Sequence, residues 1–128
     1  MTKPVLYPLA ACLLWLSVAR AGEPPVPLPS GTYDFQWKDA EFPQSAGFPV
    51  KLVIDGNRVR VLNEHRDGAA PLGELESAFL MWNARLAKWV LGQSDSAKEA
   101  TAAGDCSSEG PHLIDFEARL IWTCEWGP

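Results

Sequence analysis

Alternating polar and apolar positions dominate the chain from residue 31 onward, and this period of two is typical of β-strands with one buried face. Aromatic residues occupy every second position of the first such segment: Tyr33, Phe35 and Trp37. Residues 50–54 and 59–61 also alternate, and Asp55-Gly56-Asn57 between them predicts a β-hairpin. Two-residue loops at positions 55–56 and 56–57 both fit, and both place the same side chains inward.

Further strands are predicted at residues 73–82, 88–91, 112–116 and 120–126. One short helix is predicted near 96–103, because Ser96 and Glu99 fit a capping box and Gly104 fits a C-cap. Short connections between consecutive strands favour an antiparallel meander. The sequence therefore predicts a mainly β fold of about seven strands, either a barrel or a two-layer sandwich.

The first 21 residues resemble a cleavable export signal. Lys3 precedes an apolar run at 5–18, and Ala19-Arg20-Ala21 places small residues where a signal peptidase cuts. The run is shorter than the about 20 residues of a membrane-spanning helix, although a retained N-terminal anchor is an alternative. Lipidation at Cys12, after Leu9-Ala10-Ala11, is another. We expect a signal peptide at 1–21, a proline-rich spacer at 22–30 and one β-rich domain at 31–128, in the periplasm or secreted, without a membrane span after cleavage.

Cleavage makes the remaining chain more acidic. The full sequence has 11 basic and 16 acidic residues, and loss of Lys3 and Arg20 would leave a net charge of −7. Such a surface disfavours nucleic acids, whose phosphates bind Lys and Arg, and anionic membranes. A local exception is the outward face of the hairpin, with Lys51, Arg58 and Arg60.

Cleavage also leaves two of the three cysteines, Cys106 and Cys124. In an exported chain the simplest interpretation is a disulfide. It would close a loop of about 18 residues and stabilise the fold by about 3 kcal/mol in the chain-entropy model.

Catalytic, metal and cofactor signals are weak. His65 and His112 are too few and too far apart for a zinc site, and no phosphate-binding loop occurs, so no metal or cofactor is expected. The catalytic candidates are His112, Asp115 and Glu117, with the last two as a carboxylate pair for hydrolysis.

Glu74 and Glu76 form a second carboxylate pair. Their spacing of two predicts that both side chains lie on one strand face. An ordinary solvated strand face has the same pattern, so this pair is also a weak signal.

Tryptophan is unusually frequent, and Trp82 and Trp126 lie near predicted strand ends, where ligand-binding rims occur. Together with Trp37 they form the candidate binding surface, although most tryptophans of so small a domain must be core residues. The leading hypothesis is a non-enzymatic binding domain of the cell envelope, with a protein partner or a small ligand. A small hydrolase and a structural envelope component are the alternatives.

Overall fold

The computed structural model describes residues 22–102 and 110–124 of the chain. Seven strands follow one another around a closed barrel in sequence order. They are β1 (Gly31–Asp39), β2 (Phe48–Asp55), β3 (Arg58–Asn63), β4 (Gly73–Asn83), β5 (Lys88–Gly92), β6 (His112–Asp115) and β7 (Leu120–Thr123). The predicted mainly β fold is confirmed, and the barrel is the correct one of the two predicted architectures. Within these ranges no helix has the length and apolar character needed to cross a membrane.

The barrel closes through a parallel pair of strands. Every pair of consecutive strands is antiparallel, so in a seven-stranded meander the first and last strands point the same way. β1 and β7 accordingly pair in parallel, from Gln36 opposite Leu120 to Asp39 opposite Thr123. Closure protects the sheet edges that otherwise invite aggregation.

The hairpin between β2 and β3 uses the second of the two predicted loops. Ile54 pairs with Val59 and Asp55 with Arg58, which leaves Gly56 and Asn57 as the loop. Gly56 has a φ of 63°, a conformation that glycine adopts without steric cost. The side chains face inward and outward as the alternation predicts.

Apolar side chains from all seven strands fill the barrel interior. Trp37 is among them with 1% of its surface exposed, and Leu52, Val61 and Ile121 are fully buried. A second cluster on the outer face of β4 and β5 contains Met81, Val90 and Ala97.

The predicted helix near 96–103 is wrong in type and in extent. The described chain contains instead a five-residue 3₁₀ helix, Asp95–Glu99. Its N-cap is Ser94, without a capping hydrogen bond from that side chain, so the predicted Ser96–Glu99 capping box does not form. Asn83 explains the early end: its Nδ2 donates hydrogen bonds of 2.9 Å to the carbonyl oxygens of both Ala97 and Ala100. Gly104 lies outside the described residues.

A β-bulge interrupts the pairing of β3 with β4. Val61 pairs with Glu76 whereas Leu62 pairs with Glu74, so Leu75 is an extra residue in β4. Glu76 therefore shares the inward face of buried Val61, and Glu74 shares the outward face of Leu62. The prediction that both glutamates lie on one face is wrong for this reason.

Candidate functional site

The two ends of the barrel carry different chemistry. We name the first the His112 end, where Glu76 and His112 lie near the start of β4 and of β6. The second is the Trp82 end, where Trp82, Trp89 and Phe116 lie near the end of β4, the start of β5 and the end of β6.

A half-buried histidine–carboxylate pair occupies the His112 end. Glu76 faces inward because its partner in the sheet, Val61, is a core residue, and His112 faces inward because its partner, Leu91, is one too. His112 Nδ1 lies 2.9 Å from Glu76 Oε2, and the two side chains are 20% and 14% exposed. The Trp37 ring contacts the imidazole edge-on, with 6.1 Å between ring centroids. Sequence reasoning missed this pair because its members are 36 residues apart.

An open cleft of about 350 Å³ adjoins this pair, with Gln93, Ser94 and Ala97 in its wall. Two further wall residues, Ala100 and Gly110, lie on either side of residues 103–109, which are outside the described chain.

The predicted catalytic residues do not meet in the barrel. Asp115 lies at the far end of β6 from His112, where its Oδ1 accepts a hydrogen bond from the Ala118 amide at 2.9 Å. Glu117 is exposed in the turn that follows, so the two carboxylates do not share one strand face. Glu74 pairs outside the barrel with Arg60, at 2.8 Å.

The basic residues of the hairpin are engaged by neighbours. Lys51 forms a salt bridge with Asp34, and the hydrogen bond and opposite charge of that carboxylate raise the pKa of Lys51. Arg60 pairs with Glu74, and the Arg58 guanidinium lies 5.0 Å from the centroid of the Phe79 ring. Two of the three basic side chains on this face, Lys51 and Arg60, are therefore paired with carboxylates.

Of the three candidate tryptophans, one is a core residue, one is half-buried and one lies outside the described residues. Trp37 is a core residue and takes no part in an exposed surface. Trp126 lies outside the described residues, so its role in a binding surface stays a prediction. Cys106 also lies outside them, so the disulfide between Cys106 and Cys124 stays a prediction. Trp82 is half-buried and contacts Trp89 edge-to-face, with centroids 5.5 Å apart.

An aromatic cluster continues from this pair into the barrel. The Phe116 ring lies 6.3 Å from Trp89 and 6.1 Å from Phe35, both edge-on. Trp89 is only 9% exposed and faces inward opposite Trp82. These contacts hold the Trp82 ring in place. The sequence alone did not reveal the cluster, because Phe116 lies in a turn.

A groove of about 960 Å³ opens beside Trp82 and Trp89, and its other wall is the proline-rich segment, residues 22–26. This segment is anchored further along the chain: Leu28 packs on the barrel core, and the Tyr33 hydroxyl donates a hydrogen bond of 2.7 Å to the Pro29 carbonyl. It therefore runs across the Trp82 end. Of the tryptophans predicted as the binding surface, Trp82 is the one that the structure shows in this groove.

Within the described ranges, no three His, Cys, Asp or Glu side chains converge as a metal site would require. Comparisons with protein-family models, with curated proteins and with solved structures return no match.

Proposed function

We propose that this chain is an exported, non-enzymatic binding domain of the cell envelope that contacts a protein partner through the Trp82 end. The groove between Trp82, Trp89 and residues 22–26 is the observation that carries the proposal. Large aromatic side chains at a concave apolar surface are the usual anchors of protein interfaces, because they bury much area with few rotatable bonds.

The packed barrel favours a partner outside the interior over a small ligand within it. Barrels that hold ligands keep a cavity among the inward side chains. Here the interior is packed with side chains: Trp37 is 1% exposed, and Leu52, Val61 and Ile121 are fully buried. A ligand there would have to displace core side chains.

The dispersal of the carboxylates supports the non-enzymatic part of the proposal. Hydrolysis by a carboxylate pair requires two acids that face one substrate. Asp115 instead stabilises the β6–β7 turn, and Glu117 lies in that turn, at the opposite end of β6 from His112.

Affinity purification of the chain from residue 22 onward, with native envelope extracts, tests the proposal. We expect a retained protein that is lost when Trp82→Ala removes the anchor. Phe42→Ala is the matched control, because Phe42 is 50% exposed and follows β1 at the His112 end. Circular dichroism shows whether each variant is folded.

Two outcomes contradict the proposal. If the extracts yield neither partner nor ligand, the binding function is wrong. If a partner is retained by the folded Trp82→Ala variant, the function stands but the Trp82 end is not the site.

A further inference from the structure

The proline-rich segment at the Trp82 end has two differently held parts. Residues 27–29 carry the anchor, since Leu28 packs on the core and Pro29 accepts the Tyr33 hydrogen bond. Residues 22–26 have open space on both sides. One side is the groove with Trp82 and Trp89, and the other is a second groove of about 450 Å³ beside Phe79 and Lys98.

The composition of this segment matches the wall that it faces. Pro24, Pro25, Pro27 and Pro29 favour an extended, preorganised backbone without internal hydrogen bonds. Aromatic-lined grooves bind such segments, because proline rings pack on flat aromatic faces and little chain entropy is lost on binding. Pro24 is half-buried here, whereas Pro25 and Val26 are exposed.

We infer that Trp82 and Trp89 form a binding site for an extended, proline-rich peptide segment, and that residues 22–26 of the chain itself occupy one side of that site in competition with a partner. This inference rests on the proposed function and specifies the partner: it presents a proline-rich, extended segment. The open space on both sides of residues 22–26 allows them to move aside while Leu28 stays anchored.

The test uses a synthetic peptide with the sequence of residues 22–30, added to the chain that begins at residue 22. Binding is followed through the indole N–H signals of Trp82 and Trp89 in NMR spectra. In the Pro24→Gly/Pro25→Gly variant the tethered competitor is weakened, because glycine removes its preorganisation. We expect the peptide to bind this variant about tenfold more tightly than the unaltered chain, since a tethered segment competes at a high effective concentration.

Two controls make the result specific. A peptide with its four prolines replaced by alanine should bind at least about tenfold more weakly, because it must lose more chain entropy. Trp82→Ala in the double-glycine background should reduce binding similarly, whereas Phe42→Ala should leave it unchanged.

Three results overturn the inference: no shift of either indole signal, equal binding of the alanine peptide, or equal affinity of the double-glycine variant and the unaltered chain. Failure here is distinguishable from failure of the proposed function. A partner that is lost on Trp82→Ala, together with a peptide that does not bind, would retain the site and reject only the proline-rich ligand.

Discussion

Glu74 and Glu76 are two residues apart, but their surroundings give them different contributions to stability. Glu74 pairs with Arg60 on the exposed face, where such pairs contribute about 0–1 kcal/mol. Glu76 pairs with His112 in a half-buried position, where its loss leaves the imidazole without this carboxylate.

We expect Glu76→Ala to lower the free energy of unfolding by about 2 kcal/mol, as for other hydrogen bonds to charged groups. Glu74→Ala is the matched control and should cost under about 1 kcal/mol. Urea unfolding at neutral pH measures both. Equal losses would mean that the bulge at Leu75 does not direct the two side chains to opposite faces.

Asn83 is a second residue whose side chain stabilises the fold, because it joins β4 to the 3₁₀ helix by hydrogen bonds. It is fully buried, donates to the Ala97 and Ala100 carbonyls, and accepts a hydrogen bond from the Leu86 amide at 2.9 Å. Asn83→Asp would replace the donating amide group with an oxygen that faces two carbonyls.

We expect this substitution to lower stability by about 2–4 kcal/mol, because buried acceptors are then left unpaired and a charge is desolvated. Asn57→Asp in the exposed hairpin loop is the control and should change stability by less than about 0.5 kcal/mol. Thermal unfolding followed by circular dichroism compares the two variants. Similar melting temperatures would mean that the hydrogen bonds of Asn83 do not stabilise the fold.

Local patterns predicted most of the elements, but not the contacts between distant ones. The alternation around Tyr33, Phe35 and Trp37 predicted β1, and the turn residues at 55–57 predicted the hairpin. The 3₁₀ helix was mispredicted because the propensity of residues 96–103 competes with Asn83, which is distant in sequence. The Glu76–His112 pair was missed because its members lie 36 residues apart in the sequence. The outward position of Glu74 was missed because a bulge changes the face of a side chain without a clear sequence signal.

The 3₁₀ helix rests on β5 through a close approach at Gly92. A Cβ atom added to Gly92 would lie 2.3 Å from the Ala97 Cβ and 2.9 Å from the Met81 Cε. Glycine is therefore required here by space, and a methyl group would push the helix off the sheet.

We expect Gly92→Ala to lower the free energy of unfolding by about 1–3 kcal/mol through this overpacking. Adding Ala97→Gly should restore part of the loss, because it removes the clashing methyl group. Gly68→Ala is the control, since a Cβ atom at that position would have nothing within 4 Å. Chemical denaturation of the four chains tests the contact, and absence of any rescue would argue against it.

At the scale of the whole molecule, the small size of the domain makes the proposed export relevant to its stability. A domain of about 100 residues buries only about two-thirds of its unfolded surface, so a disulfide between Cys106 and Cys124 would add useful stability in an oxidising compartment. The sequence predicted the meander but left barrel and sandwich open, because closure depends on the short parallel pairing of β1 with β7.

Export of the full chain in a bacterial host is therefore our last prediction. We expect a processed protein that begins at Gly22, because Ala19 and Ala21 lie at the positions read by signal peptidase. Mass spectrometry of the mature chain should also show a mass that corresponds to one Cys106–Cys124 disulfide. Ala19→Asp should block processing, whereas Cys12→Ser should leave it unchanged. If Cys12→Ser instead abolishes processing and the unaltered chain carries lipid at Cys12, the lipidated alternative is correct, and the proline-rich segment would then follow a membrane-anchored stretch.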